Sequence, residues 1–166
     1  MITVIAGTNR KNSNTNKIVA TYNEFLSHKN EKIKILKLDE VAVHERNEAF
    51  IAMEKEYLIP AQKLIIVMPE YNGSFPGILK LMIDNSDIKN VWPGKKVLLT
   101  GVSTGRAGNL RGMEHLTGVL LYIKANVHYN RLPISMVHTL LNENGIIIDT
   151  ETINSIQSQI EDFLLF

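Results

Sequence analysis

Residues 1–16 read MITVIAGTNRKNSNTN, and the first half of that stretch decides what kind of fold follows. Ile2–Ala6 is short, apolar and rich in β-branched residues, the pattern of a strand. Gly7 ends it. The next nine residues carry hydroxyls, amides and two cations but no apolar side chain. Beyond them Ile18, Tyr22, Phe25 and Leu26 fall on one helical face. A buried strand running through a glycine-bearing polar loop into a helix is the opening of a βα unit.

The pattern repeats along the chain. Lys32–Leu38 (KIKILKL) alternates, as suits an edge strand with wet outer positions. Ala49–Leu58 predicts a short helix stopped before Pro60, although Tyr57–Ile59 breaks its period. Lys63–Met68 (KLIIVM) is continuously apolar, as a central parallel strand covered on both faces should be. Pro76 and Gly77 open a helix through about Asn85, with the proline in its first turn. Lys95–Thr100 (KKVLLT) is a fourth strand, followed by the loop Gly101–Gly108. Leu110–Ile123 is helical through Met113, Leu116, Leu120 and Ile123. Asn126–His128 and Ile134–Val137 read as two parts of a last strand, and about Thr150–Phe166 as a closing helix that buries Ile156, Ile160 and Phe163. Five parallel strands alternating with about five helices make an α/β fold, expected as one domain over residues 1–166.

Composition narrows the function classes. Of 166 residues, 45% are hydrophobic and 21% charged, which is ordinary for a globular chain. A net charge of +1 gives no field aimed at nucleic acid or a membrane surface. The absence of cysteine removes disulfides, thiolate metal sites and cysteine nucleophiles, and fits a reducing cytoplasm. No apolar run reaches the eighteen or so residues of a membrane span, and no basic segment precedes the first strand as in a signal peptide. The expectation is a cytoplasmic protein. His28, His44, His115, His128 and His138 show no ligand spacing, so no metal site is expected. Met68, Met82 and Met113 read as core, and Trp92 as packing.

In such a sheet ligands sit beyond the carboxyl ends of the strands, which singles out three loops. Gly7–Asn16 leads into a helix N-terminus, where unpaired N–H groups and the helix dipole favour an anion. Thr8, Ser13 and Thr15 add hydroxyls, Asn14 and Asn16 amides, and Arg10 a cation. The loop lacks the lysine of a GxxxxGK[ST] loop and the spacing of GxGxxG, so a monophosphate suits it better than a triphosphate or pyrophosphate. Helix capping by Ser13 or Asn14 explains the same residues equally well. Pro69–Gly77 (PEYNGSFPG) gathers an aromatic ring, an amide and two glycines at a central strand end. It borders a flat ring, or is a proline-bracketed turn. Gly101–Gly108 (GVSTGRAG) wraps the other edge of that ring, or is a plain strand-to-helix connection.

Taken together, GTNRKNSNTN, PEYNGSFPGILKLMIDN and GVSTGRAGNLRGMEHL resemble the NADPH-dependent FMN reductase family of the flavodoxin-like superfamily. The resemblance implies a three-layer sandwich with a five-stranded parallel sheet in the order 2-1-3-4-5. It implies FMN as cofactor and NADPH or NADH as hydride donor. The implied acceptor is a small molecule: a free flavin, quinone, azo compound or metal oxyanion. By matching positions, Thr8, Arg10, Ser13, Asn14, Thr15 and Asn16 would line the phosphate site. Pro69, Glu70, Tyr71, Asn72 and Gly73 would border the isoalloxazine, with Ser103, Gly105 and Arg106 on its far side. The family commonly forms homodimers or homotetramers. No protein residue is expected to act as nucleophile, acid or base. Two departures stand out: Thr8 replaces a frequent serine, and the region between strands two and three is short. A flavodoxin-type electron carrier without its own NAD(P)H activity is the rival reading, but such carriers tend to be acidic. A regulatory subunit that has lost the flavin is a third.

Overall fold

The computed structural model describes residues 1–29 and 31–166. Five elements of strand run parallel in the order β2-β1-β3-β4-β5: β1 (Ile2–Ala6), β2 (Ile33–Lys37), β3 (Lys63–Pro69), β4 (Lys96–Val102) and β5 (Asn126–Val127). A sixth piece, β6 (Leu132–Ile134), also pairs in parallel with β4, further along it. The order is the expected flavodoxin-like one, with the last strand in two parts. Among the described residues no helix is long and apolar enough to cross a membrane.

Strand parity divides the core. Val4, Ile65, Val67 and Leu98 face one layer, where α1 (Asn14–Ser27) and α6 (Thr150–Leu165) pack through Ile18, Tyr22, Ile156 and Phe163. Ile5, Leu64, Ile66, Met68 and Leu99 face the other. That layer holds α2 (Glu48–Met53), α3 (Gly77–Asn85), the short α4 (Ile88–Val91) and α5 (Leu110–Tyr122). Successive residues of a strand point to opposite faces, so a continuous apolar run fills both layers at once. Met68, Met82 and Met113 are buried there, as is Trp92, whose Nε1 donates to Ser86 Oγ at 2.6 Å.

Four boundaries differ from expectation, each for a local reason. The helix expected over Ala49–Leu58 is α2 followed by a π-helical turn, Glu54–Leu58, in which the Ile59 N–H reaches the Glu54 carbonyl at 2.8 Å. One extra residue per turn is what disrupts the helical period at Tyr57–Ile59. The turn aims the buried Glu54 carboxylate at two partners, Arg46 Nη1 and the Asp87 N–H, both at 2.6 Å. The fourth strand does not stop at Thr100. It continues to Val102 because Gly101 and Val102 pair with Pro133 and Ile134 of β6. The second part of the last strand accordingly lies at Leu132–Ile134, and Val137 belongs to a 3₁₀ turn, Val137–Thr139. Pro76 caps α3 from outside with extended backbone, rather than occupying its first turn.

A polar cluster threads the α1–α6 layer. The Tyr22 hydroxyl meets Thr100 Oγ1 at 2.7 Å and donates to Gln159 Oε1. Gln159 Nε2 donates to the Leu99 carbonyl at 3.2 Å and to the Asn130 carbonyl at 2.8 Å, closing the gap between β5 and β6. Complete burial pushes the Tyr22 hydroxyl far above its usual range, partly offset by the hydrogen bond to Thr100.

Candidate active site at the carboxyl edge of the sheet

The loops after β1, β3 and β4 meet around a cavity of about 250 Å³. Arg10, Ser13, Asn14 and Thr15 line it from the first loop, Pro69, Glu70 and Tyr71 from the second, and Ser103 from the third. Those eight come from three stretches separated by up to ninety residues of chain, and the sheet alone brings them together.

Within the first loop the hydroxyls are unequally committed. Ser13 Oγ accepts the Asn16 N–H at 3.2 Å, so helix capping is realised at this residue. Thr8 is wholly buried; its Oγ1 shares a 2.7 Å hydrogen bond with the Tyr71 hydroxyl and accepts the Arg10 N–H at 3.1 Å. Thr15 is different. Its Oγ1 is buried and has no partner among the described residues, as is rare for an interior hydroxyl. It stands in the first turn of a 14-residue helix, where the leading N–H groups also have no intrahelical acceptor. A ligand oxygen accepting from Thr15 and from these amides meets that need. The dipole at a helix N-terminus favours its being anionic. Asn16 turns away: its Nδ2 donates to Asp39 Oδ2 at 3.2 Å, and it borders a neighbouring cleft with Lys17 and Lys37.

The second loop is a tight hairpin. Tyr71 and Ser74 exchange backbone hydrogen bonds of 2.9 and 3.1 Å, with Asn72 and Gly73 at φ of 52° and 74° between them. Two consecutive left-handed residues define a type I′ turn, for which Asn-Gly is the preferred pair. The turn carries Asn72 and Gly73 beyond the cavity lining, while Tyr71 stays within it. Tyr71 is held at both ends, by Thr8 at its hydroxyl and by the Arg10 guanidinium 4.3 Å from its ring centroid. Ser74 Oγ meets His115 Nδ1 at 2.9 Å.

The hairpin rests on α5. Asn109, buried and left-handed at φ 63°, precedes that helix and donates from Nδ2 to the carbonyls of Met68 at 3.2 Å and Pro69 at 2.9 Å. In the third loop Ser103 Oγ donates to the Gly105 carbonyl at 2.9 Å and accepts the Gly108 N–H at 3.0 Å. Its hydroxyl therefore shapes the loop. Gly105 and Arg106 are exposed outside the cavity lining.

Four further residues line the cavity: Lys11, Val102, Thr104 and Val137. Lys11 and Thr104 lie inside the quoted loops. Val102 ends β4 rather than standing in a loop, and Val137, which carries no sequence signal, comes from a turn held by its N–H to the Ser103 carbonyl at 3.0 Å. Among the described residues no group of three or more His, Cys, Asp or Glu is placed to hold a metal.

Comparison with known proteins places this geometry. The model of the NADPH-dependent FMN reductase family matches residues 1–139. A 2-hydroxy-1,4-benzoquinone reductase from a Burkholderia species is 32% identical over 114 residues, which are 66% of this chain and 62% of that protein. An NAD(P)H-dependent FMN reductase from Pseudomonas aeruginosa is 30% identical over 117 residues, 68% of this chain and 62% of that protein. The matches thus span about three fifths of the length of these relatives. The solved structure of FerB from Paracoccus denitrificans, a flavoenzyme NAD(P)H:(acceptor) oxidoreductase, superposes with a TM-score of 0.79 at 19% identity. That superposition covers 98% of this chain and 94% of FerB, and it shows a common fold.

Proposed function

The chain belongs to the NADPH-dependent FMN reductase family, and from that premise we propose that it is an FMN-dependent oxidoreductase that uses NADPH or NADH to reduce a small acceptor. Free flavins, quinones, azo compounds and metal oxyanions are the candidate acceptors. The names of the relatives, a hydroxybenzoquinone reductase and an FMN reductase, favour quinones and flavins among them. The observation that carries the reading is the unsatisfied Thr15 hydroxyl at the head of α1, opening on a cavity at the carboxyl ends of β1, β3 and β4.

The residues present fit the cofactor. The amides at the start of α1, the Thr15 hydroxyl and Arg10 would hold the phosphate, with Ser13 and Asn14 beside them. Tyr71, Pro69 and Glu70 would border the ring on one side and Ser103 on the other; Asn72, Gly73, Gly105 and Arg106 stand further out. Thr8 supports the site from below through Tyr71, and Asn16 supports it through Asp39. The chemistry the flavin supplies when bound is the exchange of hydride between nicotinamide and acceptor.

The protein contributes position and shielding. Asn109 and Thr8 fix both sides of the second loop, and fixed reactant geometry of this kind contributes roughly 7–11 kcal/mol toward a barrier. No side chain in the cavity has the surroundings of a nucleophile or a general base, so none is assigned such a role. The chain is expected to act as one domain over 1–166, in the cytoplasm, as a homodimer or homotetramer. The exposed Leu121, Tyr122 and Tyr129 are apolar surface that a second copy would cover. The test is a visible absorption spectrum with NADPH oxidation in the presence of a quinone. A flavin band and turnover are expected; colourless protein that fails to take up added FMN would refute the reading.

A further inference from the structure

The edge of the sheet opposite the flavin cavity holds a second cleft, of about 530 Å³, where β3 and β4 begin. Lys63, Lys95 and Lys96 line it, and the other lining residues are uncharged. Among the described residues none of the three lysines pairs with an aspartate or glutamate. Their partners are backbone carbonyls. Lys63 Nζ donates to Phe163 at 2.9 Å and Leu164 at 2.7 Å, and Lys96 Nζ donates to Phe166. Lys95 is only 8% exposed, and its Nζ donates to the carbonyls of Ile59 at 3.1 Å and Ala61 at 2.5 Å.

An ammonium group has three N–H donors. Lys63 therefore keeps one for a ligand and Lys96 keeps two. Lys95 is the reverse case. A neutral amine has two N–H groups, and two acceptors are what Lys95 finds; an ammonium there would leave a third donor unmatched in a buried position. Burial pushes the Lys95 amine below its usual range. Lys63 is pushed down as well, by burial and by Lys96, with Glu31 acting in the opposite sense. A desolvated lysine with a free lone pair is a nucleophile.

We infer that this cleft takes acyl phosphates and that Lys95 is the residue they acylate. The phosphate end, doubly negative, suits the spare donors of Lys63 and Lys96, since charge-assisted bonds to phosphate are strong ones. Lys95 Nζ attacks the acyl carbon. The C–N bond forms as the bond from that carbon to the bridging oxygen breaks, and inorganic phosphate leaves with the bonding pair and takes the proton that the amine loses. Nothing is oxidised or reduced. The resulting amide has one N–H for the two carbonyls, so acylation loosens the end of the π-helical turn at Ile59.

The experiment treats the full chain with acetyl phosphate at low salt and follows acetylation residue by residue by mass spectrometry. Lys95 is expected to react about tenfold faster than the exposed Lys55 and Lys124. Excess inorganic phosphate should slow Lys95 and leave those two unchanged. Lys96→Gln should slow acetylation of Lys95 by acetyl phosphate several-fold, but not its acetylation by phenyl acetate, an uncharged acyl donor. Lys95 reacting no faster than Lys55 and Lys124 in the parent protein overturns the inference. Acetylation of Lys63 or Lys96 in its place, or a Lys95 rate that phosphate does not slow, does the same.

Discussion

Adding one methyl group to α5 at Gly112 sets two forces against each other. Gly112 lies inside the helix, where alanine is favoured over glycine by about 1 kcal/mol from backbone propensity alone. The space is already taken. A Cβ built there would be 2.1 Å from Asn109 Oδ1 and 2.7 Å from the Phe75 N–H nitrogen, the latter backbone that has no rotamer to change. Relieving the clash displaces the second loop or turns the Asn109 amide away from the Met68 and Pro69 carbonyls. Forced overpacking costs typically 1–3 kcal/mol, and two weakened hydrogen bonds add about 1 kcal/mol each. Set against the gain in propensity, Gly112→Ala should lose about 3 kcal/mol. For a chain of this length that is a fall of roughly 9 °C in Tm. The internal comparison is Gly118→Ala in the same helix, where nothing lies within 4 Å of the added carbon. That variant should gain up to about 1 kcal/mol. Thermal melts of both variants, followed by FMN titration, measure the contrast, and Gly112→Ala should also bind flavin more weakly because the root of the second loop has moved. If Gly112→Ala melts at or above the parent protein, the close packing of α5 against the hairpin is not what holds the loop.

Ser13→Asp should separate capping from ligand binding: aspartate caps a helix as well as serine and suits its dipole. Tm should hold or rise while FMN affinity falls at least about tenfold through charge repulsion; unchanged flavin affinity in a titration would remove the phosphate from α1. Tyr22 bears on alkaline stability. Its folded pKa is raised, so above about pH 10 the unfolded chain releases a proton that the folded chain keeps. Stability is therefore fully present below that pH and declines above it. Urea midpoints between about pH 8 and 11 should fall in the parent protein and fall less in Tyr22→Phe, which should itself be less stable at neutral pH because Gln159 loses a donor.

Much of this fold was legible because its signals are local. Ile2–Ala6 and Lys63–Met68 are short β-branched runs, and each ends at a residue that cannot continue a buried ladder unnoticed, Gly7 and Pro69. Periodicity located α5 and α6 to within a residue and found the apolar face of α1, which begins at Asn14, inside the stretch read as loop. What stayed hidden was set by partners distant in sequence. β4 extends through Gly101 and Val102 because Met68 and Pro69 pair with them on one side and Pro133 and Ile134 on the other, and the π turn exists where Glu54 finds Arg46 and Asp87. The same holds for the site. The residue types of the three loops could be read from the chain, but how each hydroxyl is used could not. Ser13 caps, Thr8 braces Tyr71, Ser103 folds its own loop, and among the described residues Thr15 is the buried hydroxyl left with nothing to bond. Val137 had no signal at all, since only the chain's return past β6 brings it to the cavity.

The division of the last strand bears on how the protein behaves in a crowded solution. An uninterrupted edge strand offers a row of unpaired N–H and C=O groups on which another chain can add and grow toward a fibre. Here that edge is broken into pieces of two and three residues, and the longer piece carries Pro133, which has no N–H to offer. At the opposite edge, β2 presents Lys34 and Lys37, whose charges oppose stacking of a second copy. The interruption that Gln159 bridges thus leaves the sheet without a long free margin, a safeguard against edge-to-edge aggregation that acts whether or not the site is filled.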